Sequence, residues 1–519
     1  MSKNKTFYIT TPIYYPNASL HIGHAYCTVA ADAMARYKKA RGYDVKFLTG
    51  LDEHGQKVAE AADNRGMPPQ AHVDDIAEMT KSLWQTLSID YDYFWRTTDK
   101  AHKAIATQIF NKLYEQGDIY KGKYEGLYCT PCETFFTNRQ ATDKTCPDCG
   151  RDLVVVQEDA YFFRLSNYQS RLIAHIEQNP DFIQPKTRQN EMLSNFLLPG
   201  LEDLCVSRTS FTWGIPLEFD KGHVMYVWVD ALSNYITALG YPDGEMYRKY
   251  WPADVHLVGK EIVRFHSIIW PAMLMALGVP LPKQIFGHGW LVIDGKKMGK
   301  TRGNAQDPRA LVARYGADAI RYFLMRDVAF GQDGNFSLEA LIGRINADLA
   351  NDLGNLLSRT VGMIDKYFGG SLPTEQSPTE FDDQLISLAT DTLDKAKQYM
   401  DKMDFSSALT AIWGLIGHSN KYIDSVMPWK LIKEDDKRAE VASCLYNLSE
   451  VLRLAAVMIA PVMPSTPAHI YAQLNIESGL NTWDTAFGDL PRGVVITKGD
   501  IVFPRLDLKE ELAALEVED

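Results

Sequence analysis

The sequence predicts a parallel α/β sheet domain, interrupted by a cysteine-rich insertion and followed by an all-helical bundle. Three observations carry this reading. A strand–helix–strand alternation opens the chain and resumes after residue 222. Four cysteines in two CxxC pairs occupy the turn-rich stretch between. From about residue 338, apolar residues recur at helical spacing, with proline and glycine confined to the gaps. At 519 residues the chain is also too long for a single core.

The elements follow in order. Phe7-Tyr8-Ile9-Thr10 is β-branched and aromatic, and Pro12, Pro16 and Asn17 end it. The alanine-rich segment from His24 to about Arg41 carries Val29, Ala33 and Tyr37 at helical spacing and is closed by Gly42. Val45 to Gly50 is the next strand. Such a unit is parallel, so a ligand is expected at the carboxyl ends of the strands, beside His21, His24 and Asp52. Residues 1–117 are thus the first half of the α/β domain, and 118–222 read as an insertion. The pattern returns in Val224–Asp230 and Asp254–Gly259, making 223–325 the second half. Residues 326–519 form a linking segment and bundle, with helices expected over 380–402, 406–424 and 438–460 and a short charged helix at the end.

Composition narrows the class. The hydrophobic share of 46% and charged share of 23% suit a soluble globular protein. No apolar run is expected to reach the ~20 residues that span a bilayer, and the first residues lack a secretory leader. A cytoplasmic location without a membrane partner is therefore expected. The net charge of −12 argues against indiscriminate polyanion binding but leaves room for local basic patches.

Two constellations carry chemistry. Cys129-Thr-Pro-Cys132 and Cys146-Pro-Asp-Cys149 have the spacing at which two tight turns aim four thiolates at one ion, so one structural Zn²⁺ is expected. Cys27, Cys205 and Cys444 read as small buried hydrophobes. His21-Ile22-Gly23-His24 stands where a strand hands over to a helix N-terminus, which favours phosphate. Lys297 and Lys300 lie in a loop with Gly295, Gly299 and Gly303, as mobile positive charges. Together they suggest a divided site for a nucleoside triphosphate, where catalysis rests on positioning and charge.

His21-Ile22-Gly23-His24 matches the "HIGH" signature of class I aminoacyl-tRNA synthetases, and Lys297-Met298-Gly299-Lys300-Thr301 resembles their "KMSKS" signature. Segments 11–17, 49–56, 226–231 and 265–272 resemble, more narrowly, the methionyl-tRNA synthetases. The resemblance implies an α/β Rossmann-like parallel-sheet catalytic domain with an inserted zinc-knuckle (connective) domain, then an all-α anticodon-binding helix bundle. It implies a methionine–tRNA ligase, which uses ATP with Mg²⁺ to convert L-methionine to methionyl-adenylate and passes the aminoacyl group to the 3′ end of tRNA(Met). On this resemblance His21, Gly23, His24, Gly259, Glu261, Lys297 and Lys300 bind ATP, and His21, His24, Lys297 and Lys300 act on the transition state. Asp52 pairs with the substrate ammonium, in a methionine pocket of Pro12, Ile13, Tyr15, Trp228, Ala231, Leu232, Tyr235, Ile262, Phe265 and His266. Asn355, Arg359 and Trp429 match the anticodon readers.

Some positions depart from the pattern. Glu261 stands where the family often has Asp, and Gly299 and Thr301 where Ser is usual. The sequence ends without the appended tRNA-binding module of some members, so a monomer is expected. A small-molecule nucleotidyltransferase sharing the HIGH-type site is argued against by the bundle residues Asn355, Arg359 and Trp429, and two further alternatives stay open. One is another class I synthetase, although those for Leu, Ile and Val carry a larger editing insertion than 118–222. The other is a catalytically silent zinc-containing RNA-binding protein, which predicts loss of the signature His or Lys residues.

Overall fold

The computed structural model describes residues 5–130, 134–136, 141, 144–147, 150–293, 296–297, 306–477 and 479–518. The chain divides into two units. The first comprises Met1–Ala31, Asp44–Gln85 and Ile89–Trp290, and the second Asp32–Tyr43, Thr86–Ser88 and Leu291–Asp519.

The first unit is built on the strand β1 (Thr6–Tyr14), buried along its length from Phe7. A strand covered on both faces need not alternate, and β1 buries Thr10 and Thr11 as well as its apolar residues. Helix α1 (Ile22–Ala40) follows and returns the chain to β2 (Asp44–Leu51), parallel to β1. The sheet adds β3 (Tyr93–Arg96), β4 (Ile183–Gln184), β5 (Val255–Gly259) and β6 (Ile285–His288) in the order β3-β2-β1-β5-β6-β4. Every pairing in it is parallel. The sequence order reverses between β1 and β5, and a crevice at the carboxyl ends of the strands belongs at such a switch point.

Gly50 permits the β2–β3 pairing, because a Cβ there would lie 1.9 Å from the Trp95 carbonyl oxygen. The stretch 118–222 lies in this same unit. Its long antiparallel pair, Ile119–Cys129 with Val154–Phe163, projects a hairpin, yet it also lends the sheet its edge strand β4. The apolar run Val224–Asp230 proves to be two elements. Val224 and Met225 end an antiparallel strand, Asp220–Met225, and the chain is helical from Val227 in α2 (Val227–Thr237). A short apolar run fits a buried helix as well as a buried strand.

The second unit is helical. A π-helical segment, Ile345–Gly354, runs into α3 (Asn355–Phe368) and is followed by α4 (Asp382–Asp401), α5 (Phe405–Val426) and α6 (Arg438–Ile459). Here the expectation about apolar runs is corrected. Asp435–Ile459 is long and apolar enough to cross a membrane, but its apolar window is wholly buried inside the protein. It is a core helix with a satisfied ion pair. Arg453 meets Glu450 at 2.5 Å with both side chains fully buried, and donates to the carbonyls of Leu480 and Ala486. Glu450 accepts the N–H groups of Gly488 and Leu490. A helix that must bury its whole circumference is apolar all round whatever its solvent.

Candidate active site

The carboxyl edge of the sheet gathers the expected residues of the first unit. At the β1–α1 junction the His21 N–H donates to His24 Nδ1 and the Gly23 N–H to His21 Nδ1, both at 3.1 Å. Each Nδ1 is therefore an acceptor, so in the neutral rings each Nε2 carries the proton and is a donor. The rings lie 4.1 Å apart, and Tyr14 packs edge-on against His24 at 5.3 Å. The Tyr14 hydroxyl, 2.6 Å from Thr28 Oγ1, fixes that packing. No acidic residue stands in the first turn of α1, so its positive end is not neutralised from within. At Gly23 an added Cβ would meet only the His21 imidazole, at 2.9 Å.

One step along the sheet edge, Asp52 follows β2 and donates its N–H to the Tyr14 carbonyl at 2.9 Å. Its side chain is buried. The next residues are held by a network that local spacing did not reveal. His54 Nδ1 meets Asp230 Oδ2 at 2.6 Å, and His102 Nε2 meets Asp230 Oδ1 at 2.7 Å. The Trp95 indole N–H donates to His102 Nδ1 at 3.2 Å, so that ring donates through Nε2 to Asp230. Burial would raise the Asp230 carboxyl, but the His54 charge and the imidazole hydrogen bonds outweigh it and hold it at about 2. Glu53, buried beside Asp52, accepts from Arg96 Nε at 2.6 Å and from Thr98. Burial is the larger influence there and raises its carboxyl. Trp213, from the 118–222 stretch, donates its indole N–H to the Glu53 carbonyl at 2.6 Å and stacks edge-on against His54.

Two helical faces complete the pocket. Trp228, Ala231, Leu232 and Tyr235 fall at i, i+3, i+4 and i+7 on α2. Ile262, Phe265 and His266 fall at i, i+3 and i+4 on the segment after β5, which is π-helical over Phe265–Ile269. The faces meet: Trp228 stacks on Phe265 with centroids 3.7 Å apart, and the Tyr235 hydroxyl lies 2.7 Å from His266 Nε2. His266 Nδ1 is 2.8 Å from the Ile262 carbonyl, which can only accept, so Nδ1 bears the proton and Tyr235 donates to Nε2. Burial lowers His266 to about 4, so the ring is neutral near pH 7. Burial raises the Tyr235 hydroxyl, so it stays protonated and able to donate. Pro12 and Ile13 are buried in β1, and Tyr15 is half-buried with Lys57 Nζ 5.5 Å from its ring centroid. A second neutral imidazole, His256, lies behind Tyr235. Its Nδ1 is 2.8 Å from Thr10 Oγ1, and burial drives it well below the ordinary range.

At the end of β5, Glu261 accepts from the Trp290 indole at 2.7 Å. Its carboxylate sits over Gly259, where an added Cβ would come within 2.6 Å of Oε2.

In the second unit, the backbone of Lys297 pairs with Val292 in a short antiparallel ladder. Lys300 lies outside the described residues. Asn355 is exposed at the start of α3, and one turn on Arg359 pairs with Asp424 of α5 at 2.8 Å. Trp429 is exposed just after α5, beside the buried Pro428.

For the metal site, Cys129 and Cys146 are buried together with Leu127, Ala141 and Leu153 in a small separate cluster. A tight turn returns the Gly150 N–H to the Cys146 carbonyl at 2.8 Å. Two of the four cysteines expected to hold a metal thus share one buried cluster. Cys132 and Cys149 lie outside the described residues, and among the described residues no group of three metal-binding side chains occurs.

Comparison with known proteins adds the following. Residues 7–154 and 149–361 match the family described as tRNA synthetases class I (M), and residues 372–515 match the anticodon binding domain of methionyl tRNA ligase. The methionine–tRNA ligase of Caldanaerobacter subterraneus subsp. tengcongensis is 60% identical over 515 residues, covering 99% of this chain and 81% of the relative. That of Bacillus subtilis is 51% identical, covering 99% and 80%. A Mycobacterium tuberculosis methionyl-tRNA synthetase in complex with methionyl-adenylate superposes with a TM-score of 0.92 at 42% identity, covering 96% of this chain and 100% of that one. The apo form of the Mycobacterium tuberculosis protein gives 0.86 at 40% identity, covering 97% and 99%.

Proposed function

The chain belongs to the methionyl-tRNA synthetases, class I aminoacyl-tRNA synthetases with methionine–tRNA ligase activity, and from that premise we propose which side chains carry each part of the reaction. The enzyme activates L-methionine with ATP and transfers it to tRNA.

In the activation half, a methionine carboxylate oxygen attacks the α-phosphorus of ATP and pyrophosphate leaves. His21 and His24 present Nε2 donors to phosphate oxygens at the open N-terminus of α1. Lys297 and Lys300 supply the charge that stabilises the transition state, and Mg²⁺ travels with the ATP substrate. Gly259 and Glu261 hold the adenosine ribose. Asp52 takes the methionine ammonium, an interaction strengthened by burial. The thioether lies among Tyr15, Trp228, Phe265 and the neutral His266, where sulfur–aromatic contacts contribute ~0.3–1.5 kcal/mol each. Pro12, Ile13, Ala231, Leu232, Tyr235 and Ile262 close the pocket.

In the second unit, Asn355 and Arg359 hydrogen-bond anticodon base edges and Trp429 stacks on a base. Cys129, Cys132, Cys146 and Cys149 hold one structural Zn²⁺. We assign 1–117 and 223–325 to the catalytic domain, 118–222 to the connective insertion and 326–519 to the linker and anticodon-binding bundle. A cytoplasmic monomer is the working state proposed, and sedimentation of the purified chain tests the monomer.

One observation supports the roles at the first unit most directly. Asp52 and the Nε2 donors of His21 and His24 follow the carboxyl ends of β2 and β1, and the Trp228–Phe265 and Tyr235–His266 contacts join α2 to the segment that follows β5. ATP–pyrophosphate exchange tests them. Exchange should require methionine, and Asp52→Asn should raise the methionine KM by ~10-fold or more, as expected for a lost charge-assisted contact of ~1.5–3 kcal/mol. An unchanged KM removes Asp52 from the ammonium site.

A further inference from the structure

The helical unit carries a surface groove that amino-acid activation does not use. It lies between α4 and α5, has a volume of about 510 Å³ and is floored in part by Leu388. Lys395 of α4 and His418 and Lys421 of α5 line it, and no acidic residue does. Among the described residues these three side chains make no hydrogen bond or ion pair. Two nearby carboxylates are already engaged, Asp394 facing Lys397 at 3.7 Å and Asp424 holding Arg359 at 2.8 Å, while Asp391 stands exposed one turn before Lys395.

Two glycines in mid-helix, Gly414 and Gly417, line the α5 side of the groove between Ala411 and Trp413 on one side and His418 and Lys421 on the other. Glycine is the poorest helix former after proline, so an interior pair calls for a reason. Neither has a positive φ, and a Cβ built on either meets nothing within 4 Å. Backbone conformation and internal packing would both accept alanine. The space kept clear lies outside the helix, over the groove. Bare backbone beside uncommitted cations suits close approach by a polyanionic strand, whose phosphates are the main source of affinity for basic side chains.

We infer that this groove seats the sugar–phosphate backbone of the tRNA anticodon arm, gripped by Lys395, His418 and Lys421 beside Gly414 and Gly417. The inference rests on reading the helical unit as the anticodon-binding part, and the matched domain, residues 372–515, contains the whole groove. Position favours RNA over a small free anion. Lys421 stands one helical turn before Asp424, the partner of the proposed base reader Arg359, so the groove continues along α5 from the base-reading face. Phosphate contacts carry affinity and register, not base choice.

The test uses the full chain and purified tRNA. Lys395→Ala/Lys421→Ala should weaken tRNA binding by about 10-fold at low salt, and should flatten the slope of log K against log salt by roughly 1.5, the value for two lost phosphate contacts. The weakening should be equal for tRNA(Met) and for the same tRNA with an altered anticodon, while methionine-dependent pyrophosphate exchange stays as in the wild type. Lys397→Ala, on the same helix but already paired with Asp394, should change the slope little. Gly414→Ala should raise Tm by about 2 °C, as a helix gains from the substitution, and yet weaken tRNA binding several-fold. An unchanged salt slope in the double variant overturns the inference, as does wild-type tRNA affinity in Gly414→Ala. Equal competition by inorganic phosphate at the same concentration as tRNA phosphate overturns it in favour of a free-anion site. If the wild-type chain itself fails to prefer tRNA(Met) over the altered anticodon, the anticodon reading of the unit fails instead, which the double variant's salt slope reports separately.

Discussion

At the scale of single residues, burial keeps two imidazoles at the pocket, His256 and His266, neutral near pH 7. His266 is fixed by the Ile262 carbonyl on one side and the Tyr235 hydroxyl on the other, and burial lowers it to about 4 from the ordinary 6.5. A base that is harder to protonate when folded stabilises the fold fully above the higher value. That stability is lost as pH falls from about 6.5 and is exhausted near 4. The shift corresponds to about 3 kcal/mol. Urea unfolding across this range should therefore show stability falling with pH, and His266→Gln should flatten part of the slope; buried His256 contributes the rest. Asp230 acts in a separate window, since its carboxyl, held at about 2, loses its contribution only as pH falls from about 4 toward 2. A wild-type slope in His266→Gln would show that the ring is not buried neutral. The signature residues His21, His24 and Asp52 were legible because their spacing within short segments is informative. The Asp230 bridge to His54 and His102 was not, because its members lie in three separate segments and meet only across the folded sheet edge.

At the scale of elements, the pocket is two helix faces and one sheet edge. The i, i+3, i+4 spacing of Trp228, Ala231 and Leu232, repeated in Ile262, Phe265 and His266, could have marked two facing helices in the sequence. The apolar run that carries the first group was legible only as α/β structure. Periodicity does not separate a short buried helix from a buried strand, and here the strand stops at Met225 and the helix starts at Val227. Gly50 belongs to this scale. A methyl group there would press against the Trp95 carbonyl of the neighbouring strand, and backbone cannot move aside without opening the β2–β3 ladder. Gly50→Ala should cost about 3 kcal/mol or more, seen as a large drop in Tm or loss of soluble protein. Gly23→Ala should fold, because only the His21 ring must yield; its harm should appear in exchange kinetics. Equal Tm values for the two variants would refute this distinction.

At the scale of the whole molecule, amino-acid activation and anticodon recognition are separable functions, and the matched anticodon-binding domain, residues 372–515, lies in the second unit. Trp429, exposed after α5, is the residue that should separate them. Trp429→Ala should lower kcat/KM for tRNA charging by the value of one base stack, ~1–3 kcal/mol or roughly 5- to 150-fold, and leave pyrophosphate exchange intact. Equal loss in both assays would assign the tryptophan to packing. The sequence by itself determined the α/β alternation, the helical second part, the signature segments and hence the family, because each is written in local spacing along the chain. The helix expected over 438–460 is present as Arg438–Ile459, but its stretch is longer and more apolar than expected because it is buried inside the protein. Only the tertiary structure decided that residues 118–222 lend an edge strand to the main sheet, that Trp213 braces the segment beside Asp52, and that Asp230 ties His54 to His102. It alone placed uncommitted lysines beside bare glycine backbone in the groove between α4 and α5. These are contacts between residues far apart in the chain, and periodicity carries no record of which distant segments will meet.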